Sequence, residues 1–286
     1  MKLLVSGLNG FTGRHLAPMA RAEGWQVVGL DCDLNDAKAL QAAIDTVAAD
    51  AVLHLAGISF TDHPDSSEIY RVNTVGTTML LQALVCTPKR PAKVVLASSA
   101  SVYGNSLATP IAESQPVAPV SHYAASKLAM ESLARTYQDE LVVVIARPFN
   151  YTGPGQNSKF LVPKLVEHFA QQRAAINLGN LDVRREVNDV RFACEAYLGL
   201  LRAGQAGQTY NICTGLSYSV ADLLRALSDM TGQQIEVTVD PAFMRRNEVH
   251  ELYGDPTQLR LAVGHLRTYK LEDTLQWMLE DAKAGG

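Results

Sequence analysis

In the stretch 121-SHYAASKLAMESLA-134, Tyr123 and Lys127 stand four residues apart where alanine-rich sequence predicts a helix. That spacing puts both side chains on one helical face, within reach of one ligand. A free phenol, with a pKa near 10, is a poor proton donor or acceptor at neutral pH. A neighbouring ammonium favours the phenolate and lowers that pKa, so the pair could move a proton to or from a ligand oxygen. On a bare surface helix the same two residues would do nothing. The segment 97-ASSASVYG-104 adds hydroxyls ahead of the pair. Ser99 could hydrogen-bond a carbonyl or alkoxide and steady it, whereas Ser98 reads as a packing or backbone-capping residue.

A second set of residues suits phosphate. In 7-GLNGFTG-13, Gly7, Gly10 and Gly13 recur every third residue between a predicted strand and helix, with Phe11 at the helix start. Such a turn lets the backbone approach a pyrophosphate and lets the helix pack closely on the strand. The helix N-terminus offers unpaired N–H groups and the positive end of its dipole. A tight turn with no ligand is the plainer alternative. Asp31 ends the next strand, about twenty residues on, where a carboxylate can bind an adenosine ribose and repel a 2′-phosphate. This favours NAD(H), and NADP(H) stays possible because Arg14 could serve a phosphate. Asp33 and Leu34 would flank the adenine; otherwise Asp31 and Asp33 are a solvated acid pair.

The elements that must position these groups alternate. Strands are read at 1–7, 26–30, 51–57, 93–99 and 141–148, and helices at 14–23, 36–48, 66–86 and 122–138. Short continuous runs of Val, Leu and Ile separated by helices predict a parallel sheet buried on both faces. The handedness of crossovers then makes the fold α/β, a doubly wound parallel Rossmann sheet. After Pro148 turn formers and shorter elements follow, with helices near 160–173 and 190–203 and a strand at 209–213. The dinucleotide domain is set at 1–150 plus returning segments near 187–215. A smaller discontinuous cap takes 151–186 and 216–286.

The 286 residues suffice for one such domain with an appendage. A net charge of −4 gives no reason to expect nucleic acid or a membrane surface as partner. Four scattered cysteines show no metal-ligand spacing, so no metal is expected. The N-terminal apolar run is too short for a signal or a membrane span, which points to reduced thiols in the cytoplasm.

Together with 54-HLAG-57, 73-NTVGTTMLLQA-83, 147-RPFNYTGPGQ-156, 179-GNLDVRRE-186, 210-YNICTG-215 and 254-GDPTQL-259, these motifs resemble the extended short-chain dehydrogenase/reductase family. The likeness spans nearly the whole chain and lies in its nucleotide-sugar branch (the NAD-dependent epimerase/dehydratase family). It implies a catalytic triad of Ser99, Tyr123 and Lys127, with Asn73 steadying the tyrosine helix unless it is merely a polar residue inside its own helix. Coenzyme would meet the glycine turn, Leu55, Ala56, Gly57, Tyr123, Lys127 and the backbone near Pro148. Ser99, Asn150, Arg185 and Arg245 or Arg246 would hold a nucleotide sugar, since guanidinium forks match diphosphate oxygens. Each arginine could instead be a solvated charge, a reading that suits Arg184 and Arg191 better than Arg185.

Departures narrow the activity. Dehydratases of this branch commonly carry an Asp-Glu pair after the catalytic hydroxyl residue, where this chain has Ala100 and Ser101. The resemblance therefore implies reduction of a 4-keto-6-deoxy nucleotide sugar, such as GDP-4-keto-6-deoxy-D-mannose to GDP-D-rhamnose. A 4-epimerase with tightly held NAD is the first alternative and a non-catalytic dinucleotide sensor the second. Phe192 stands where relatives usually have aspartate. A homodimer is expected through helices 66–86 and 122–138, with Met79, Leu80, Ala129 and Met130 as interface candidates unless they simply face the sheet.

Overall fold

The computed structural model describes residues 1–59, 64–106, 108–243 and 249–284. Its centre is a six-stranded sheet in which all neighbours run parallel. We label β1 (Lys2–Ser6), β2 (Gln26–Leu30), β3 (Ala51–His54), β4 (Lys93–Ala97) and β5 (Val143–Pro148). The strand Thr209–Ile212 closes one edge beside β5, and the order continues β4, β3, β1, β2. The register aligns the functional ends: Ser6 lies across from His54, and Ala97 across from Ala146.

Successive residues of a strand face opposite sides, so continuous apolar strands feed two cores. Leu3, Val5, Leu53 and Val95 pack against helices Phe11–Ala22 and Val190–Ala203. Leu4, Val52, Val94 and Leu96 pack on the other face under helices Ala37–Val47, Thr77–Cys86 and His122–Arg135. Met130 and Leu80, candidates for a dimer face, are 1% and 0% exposed within this second core. They face the sheet, as their apolar character on the inner side of each helix requires. A third core joins helices Leu161–Ala170, Val220–Thr231 and Leu271–Ala284.

The expected helix 66–86 is continuous but not uniform. Helical turns at Ser66–Tyr70 and Thr77–Cys86 flank a π-helical stretch, Arg71–Gly76. No helix among the described residues is long and apolar enough to cross a membrane.

Candidate active site

The site assembles where the strands end. Gly7 has φ of +75°, a left-handed conformation that favours glycine, and a Cβ there would stand 2.8 Å from Ala56 N. Gly7 therefore presses the turn onto the end of β3. Gly10 N donates to Gly7 O at 3.0 Å, and Gly10 caps helix Phe11–Ala22 without any side-chain cap. A Cβ on Gly13 would strike Leu8 O and come within 2.6 Å of Gly7 O. The helix can sit this close to the strand only without side chains at these places. The Phe11 ring stacks on Tyr151 at 6.1 Å between centroids.

Ser99 leaves β4 as the N-cap of a single 3-10 turn, Ala100–Tyr103, its Oγ accepting from Ser101 N at 3.1 Å. Ser121 caps the tyrosine helix by accepting from Ala124 N at 3.2 Å. That start places Tyr123 and Lys127 inward, 8% and 4% exposed. The Ser99 hydroxyl lies beside the Tyr123 phenol, close enough to oppose the rise in its pKa. Lys127 Nζ donates to Ala97 O at 2.8 Å, and a Cβ on Gly57 would lie 3.2 Å from that nitrogen. Ser99, Tyr123, Lys127, Gly57, Ala56 and Gly7 thus form one contiguous group.

Electrostatics differ from the expected lowered phenol. Burial pushes the Tyr123 pKa up, and the Ser99 hydroxyl opposes this without reversing it. Lys127 is itself pushed down to about 8 by burial, with Glu131 pulling it back. Desolvation dominates both shifts because both groups lie in low-dielectric surroundings.

Asn73 does more than steady a helix. From the π-helical stretch its Oδ1 accepts from Ile58 N at 2.8 Å, and its Nδ2 donates to Ile58 O at 3.0 Å and Ser126 Oγ at 3.1 Å. Ser126 in turn donates to Tyr123 O at 2.8 Å. Sequence reasoning missed His54, which links Ser6 Oγ (2.5 Å from Nδ1) to Thr77 Oγ1 (2.8 Å from Nε2). Thr77 gives its proton to Asn73 O at 2.7 Å, so the network assigns the imidazole proton to Nε2. Burial holds His54 down to about 3, a neutral imidazole. Ser98 also differs: it donates to the Glu131 carboxylate at 2.5 Å rather than to backbone.

The other candidates scatter in kind. Asp31 is exposed at the end of β2. Asp33 accepts from Asn35 N and Nδ2 at 2.9 and 3.0 Å, and these bonds lower its pKa. Leu34 is buried in the second core, packed on Gly76. Arg14 is exposed and reaches Gly155 O at 3.4 Å. Pro148 ends β5, and Asn150 is exposed just beyond it. Arg185 donates to the carbonyls of Arg184 (2.8 Å), His250 (3.2 Å) and Val249. Arg184 binds Ser217 O at 2.8 Å, and Arg191 grips Asp189 at 2.9 and 2.7 Å. Phe192 is buried in the first core. Arg245 and Arg246 lie outside the described residues.

A glycine turn on a parallel sheet, with tyrosine, lysine and serine at its carboxyl edge, defines an extended short-chain dehydrogenase/reductase. A family profile described as GDP-mannose 4,6 dehydratase matches residues 30–278, and the chain belongs to that family. GDP-6-deoxy-D-talose 4-dehydrogenase of Aggregatibacter actinomycetemcomitans is 33% identical, over 93% of this chain and 92% of its own. GDP-6-deoxy-D-mannose reductase of Pseudomonas aeruginosa is 33% identical, over 98% and 96%. The structure of RMD from Pseudomonas aeruginosa complexed with NADPH superposes with a TM-score of 0.93 at 32% identity, covering 100% of this chain and 99% of the other. A Burkholderia cenocepacia crystal structure, named only provisionally as an epimerase, gives 0.94 at 45%, covering 99% and 98%.

Proposed function

We propose that this chain reduces a 4-keto-6-deoxy nucleotide sugar, GDP-linked, with a nicotinamide coenzyme. The observation that carries the reading is the Ser99–Tyr123 hydroxyl pair beside Lys127, followed by Ala100 and Ser101 in place of carboxylates. The name of the family is that of a dehydratase, but neither residue can act as the acid or base that dehydration requires. The names of both curated relatives point to a 6-deoxyhexose of GDP.

The residues present fit a dinucleotide. The uncapped start of helix Phe11–Ala22 and the bare glycine turn would hold its pyrophosphate, and Lys127 its nicotinamide ribose. A bound reduced nicotinamide supplies the hydride. As the sugar carbonyl gains charge, Ser99 donates a hydrogen bond to its oxygen and Tyr123 delivers the proton. A phenol held up by burial keeps that proton at neutral pH, as a donor must. We assign Asn150, Arg185, Arg245 and Arg246 to the sugar nucleotide, with segments 151–186 and 216–286 as the cap over it. Exposed Asp31 favours NADH, whereas the Pseudomonas neighbour holds NADPH. We place the enzyme in the cytoplasm as a homodimer. The exposed Val75 and Leu133 replace Met130 and Leu80 as apolar residues those two helices can offer a second copy.

Absorbance of the reduced nicotinamide band, followed with each coenzyme and a panel of keto-sugar nucleotides, tests the reading. Stoichiometric loss with a GDP-4-keto-6-deoxyhexose supports it, faster with NADH than with NADPH. Conversion of a GDP-hexose with no net absorbance change makes the protein an epimerase, the reading favoured by the Burkholderia neighbour's provisional name. The two curated relatives name sugars that differ in configuration at C4, so NMR of the product assigns the face that receives hydride.

A further inference from the structure

Beneath the tyrosine–lysine face lies a buried charge pair that the proposed chemistry does not itself use. Glu131 continues that face one turn beyond Lys127, with its side chain 2% exposed. Arg147, the residue before Pro148 on β5, grips it from two sides: Nε to Oε1 at 2.9 Å and Nη2 to Oε2 at 2.6 Å. The remaining bonds of the pair go to elements that carry the site. Ser98 donates to Glu131 Oε1 at 2.5 Å, which holds the residue preceding Ser99. Arg147 Nη1 donates to the Tyr103 hydroxyl at 2.9 Å, and Tyr103 closes the turn that Ser99 caps. Tyr103 then donates to Asn211 Oδ1 at 2.8 Å on the edge strand. One ion pair thus joins the ends of β4, β5 and Thr209–Ile212 to the helix of Tyr123.

We propose that Glu131 and Arg147 are positioning residues of the reductase site: they fix Ser99, Tyr123 and Pro148 relative to one another, and Glu131 sets a buried carboxylate one helical turn from Lys127 on the same face. The inference rests on the reductase reading for the identity of the reaction, but its geometry stands apart from it. Stability alone is a weak reason for such a pair, because apolar residues of similar volume commonly serve a core as well. The charges around Lys127 leave Glu131 its role. On the same helix stands Tyr123, a neutral phenol whose pKa burial raises. From β3 comes His54, neutral because burial holds it near 3, and from the turn Tyr103, pushed up to about 12. Arg147 from β5 is a cation already engaged by Glu131. Glu131 is the group that raises Lys127 against burial.

The test compares Glu131→Gln with the double variant Glu131→Met/Arg147→Met, which removes both charges and keeps the volume. Lys127 is titrated by NMR of ¹³C-labelled lysine without substrate, and kcat/KM is followed against pH. The Lys127 midpoint is expected to fall by about one pH unit in Glu131→Gln and by less in the double variant, where loss of the Arg147 cation offsets that of Glu131. At pH 8 kcat falls by at least about tenfold in both, with coenzyme KM little changed. A double variant that folds and keeps the wild-type midpoint and kcat overturns the proposal. So does failure of both variants to fold, which assigns the pair to the scaffold. If the midpoint moves while wild-type protein turns over no keto-sugar, the reductase reading fails and only the action of Glu131 on Lys127 stands.

Discussion

At the scale of single residues, the Tyr123 hydroxyl is the group whose loss should be felt in turnover alone. It is buried against Ser99 and touches the site through one oxygen. Tyr123→Phe removes that oxygen and no volume the core needs. We expect kcat to fall by about 10²–10⁴, with coenzyme affinity, read by fluorescence titration, unchanged. A variant with near-wild-type kcat takes Tyr123 out of the acid role. Lys127 sets the pH dependence. Its pKa is depressed to about 8, so the ammonium is present below that pH and is lost above it. The kcat/KM of the reductase should be level on the acid side of this value and fall about tenfold per unit beyond it. A level profile to pH 10 would exclude Lys127 as the titrating group. The identities of these residues were legible in the sequence, because a four-residue spacing on a helix is a local property. The sign of the Tyr123 shift was not, because burial depends on what the fold stacks around a side chain.

At the scale of elements, the glycine turn makes the sharpest demand. Gly13→Ala would set a Cβ against Leu8 O and within 2.6 Å of Gly7 O, and neither backbone oxygen can retreat without opening the turn. Coenzyme binding should weaken by at least about tenfold if, as proposed, the turn and the helix N-terminus form the phosphate site. Calorimetry of coenzyme binding by folded Gly13→Ala protein checks this, and wild-type affinity would show that the turn tolerates a side chain. The strands of the sheet could be read because apolar runs bounded by glycine and turn residues leave few alternatives. The π-helical stretch Arg71–Gly76 could not. A π stretch leaves composition unchanged and shifts the apolar stripe over too few residues to be read, and it is held by contacts remote in sequence, Asn73 bonding to Ile58 and Ser126. Leu34 shows the same limit: a residue between a strand and a helix is drawn into the core because Gly76 makes room for it, which no local pattern announces.

At the scale of the molecule, helix Leu271–Ala284 belongs to two bodies at once. Leu275, Met278 and Leu279 fill the third core, while Thr274 Oγ1 donates to Asp189 Oδ2 at 2.8 Å at the head of helix Val190–Ala203. Trp277 meets the His15 ring edge-on at 5.5 Å, and the Arg191 guanidinium lies 4.2 Å from its centroid. His15 in turn binds Pro154 O at 2.9 Å and meets Phe11 at 5.3 Å in the first turn of helix Phe11–Ala22. A residue far along the chain from the glycine turn therefore props it through one ring. Trp277→Ala should lower the melting temperature and weaken coenzyme binding several-fold, since the loss of the ring removes one support from each of His15 and Arg191. Leu275→Ala is the contrast: its cavity lies wholly on the other side of the helix. It should cost about 2–5 kcal/mol of stability and leave coenzyme affinity alone in protein that remains folded. Melting and coenzyme titration of the two variants side by side decide the matter. If both lower stability and neither moves coenzyme affinity, the helix supports the third core and does not reach the glycine turn.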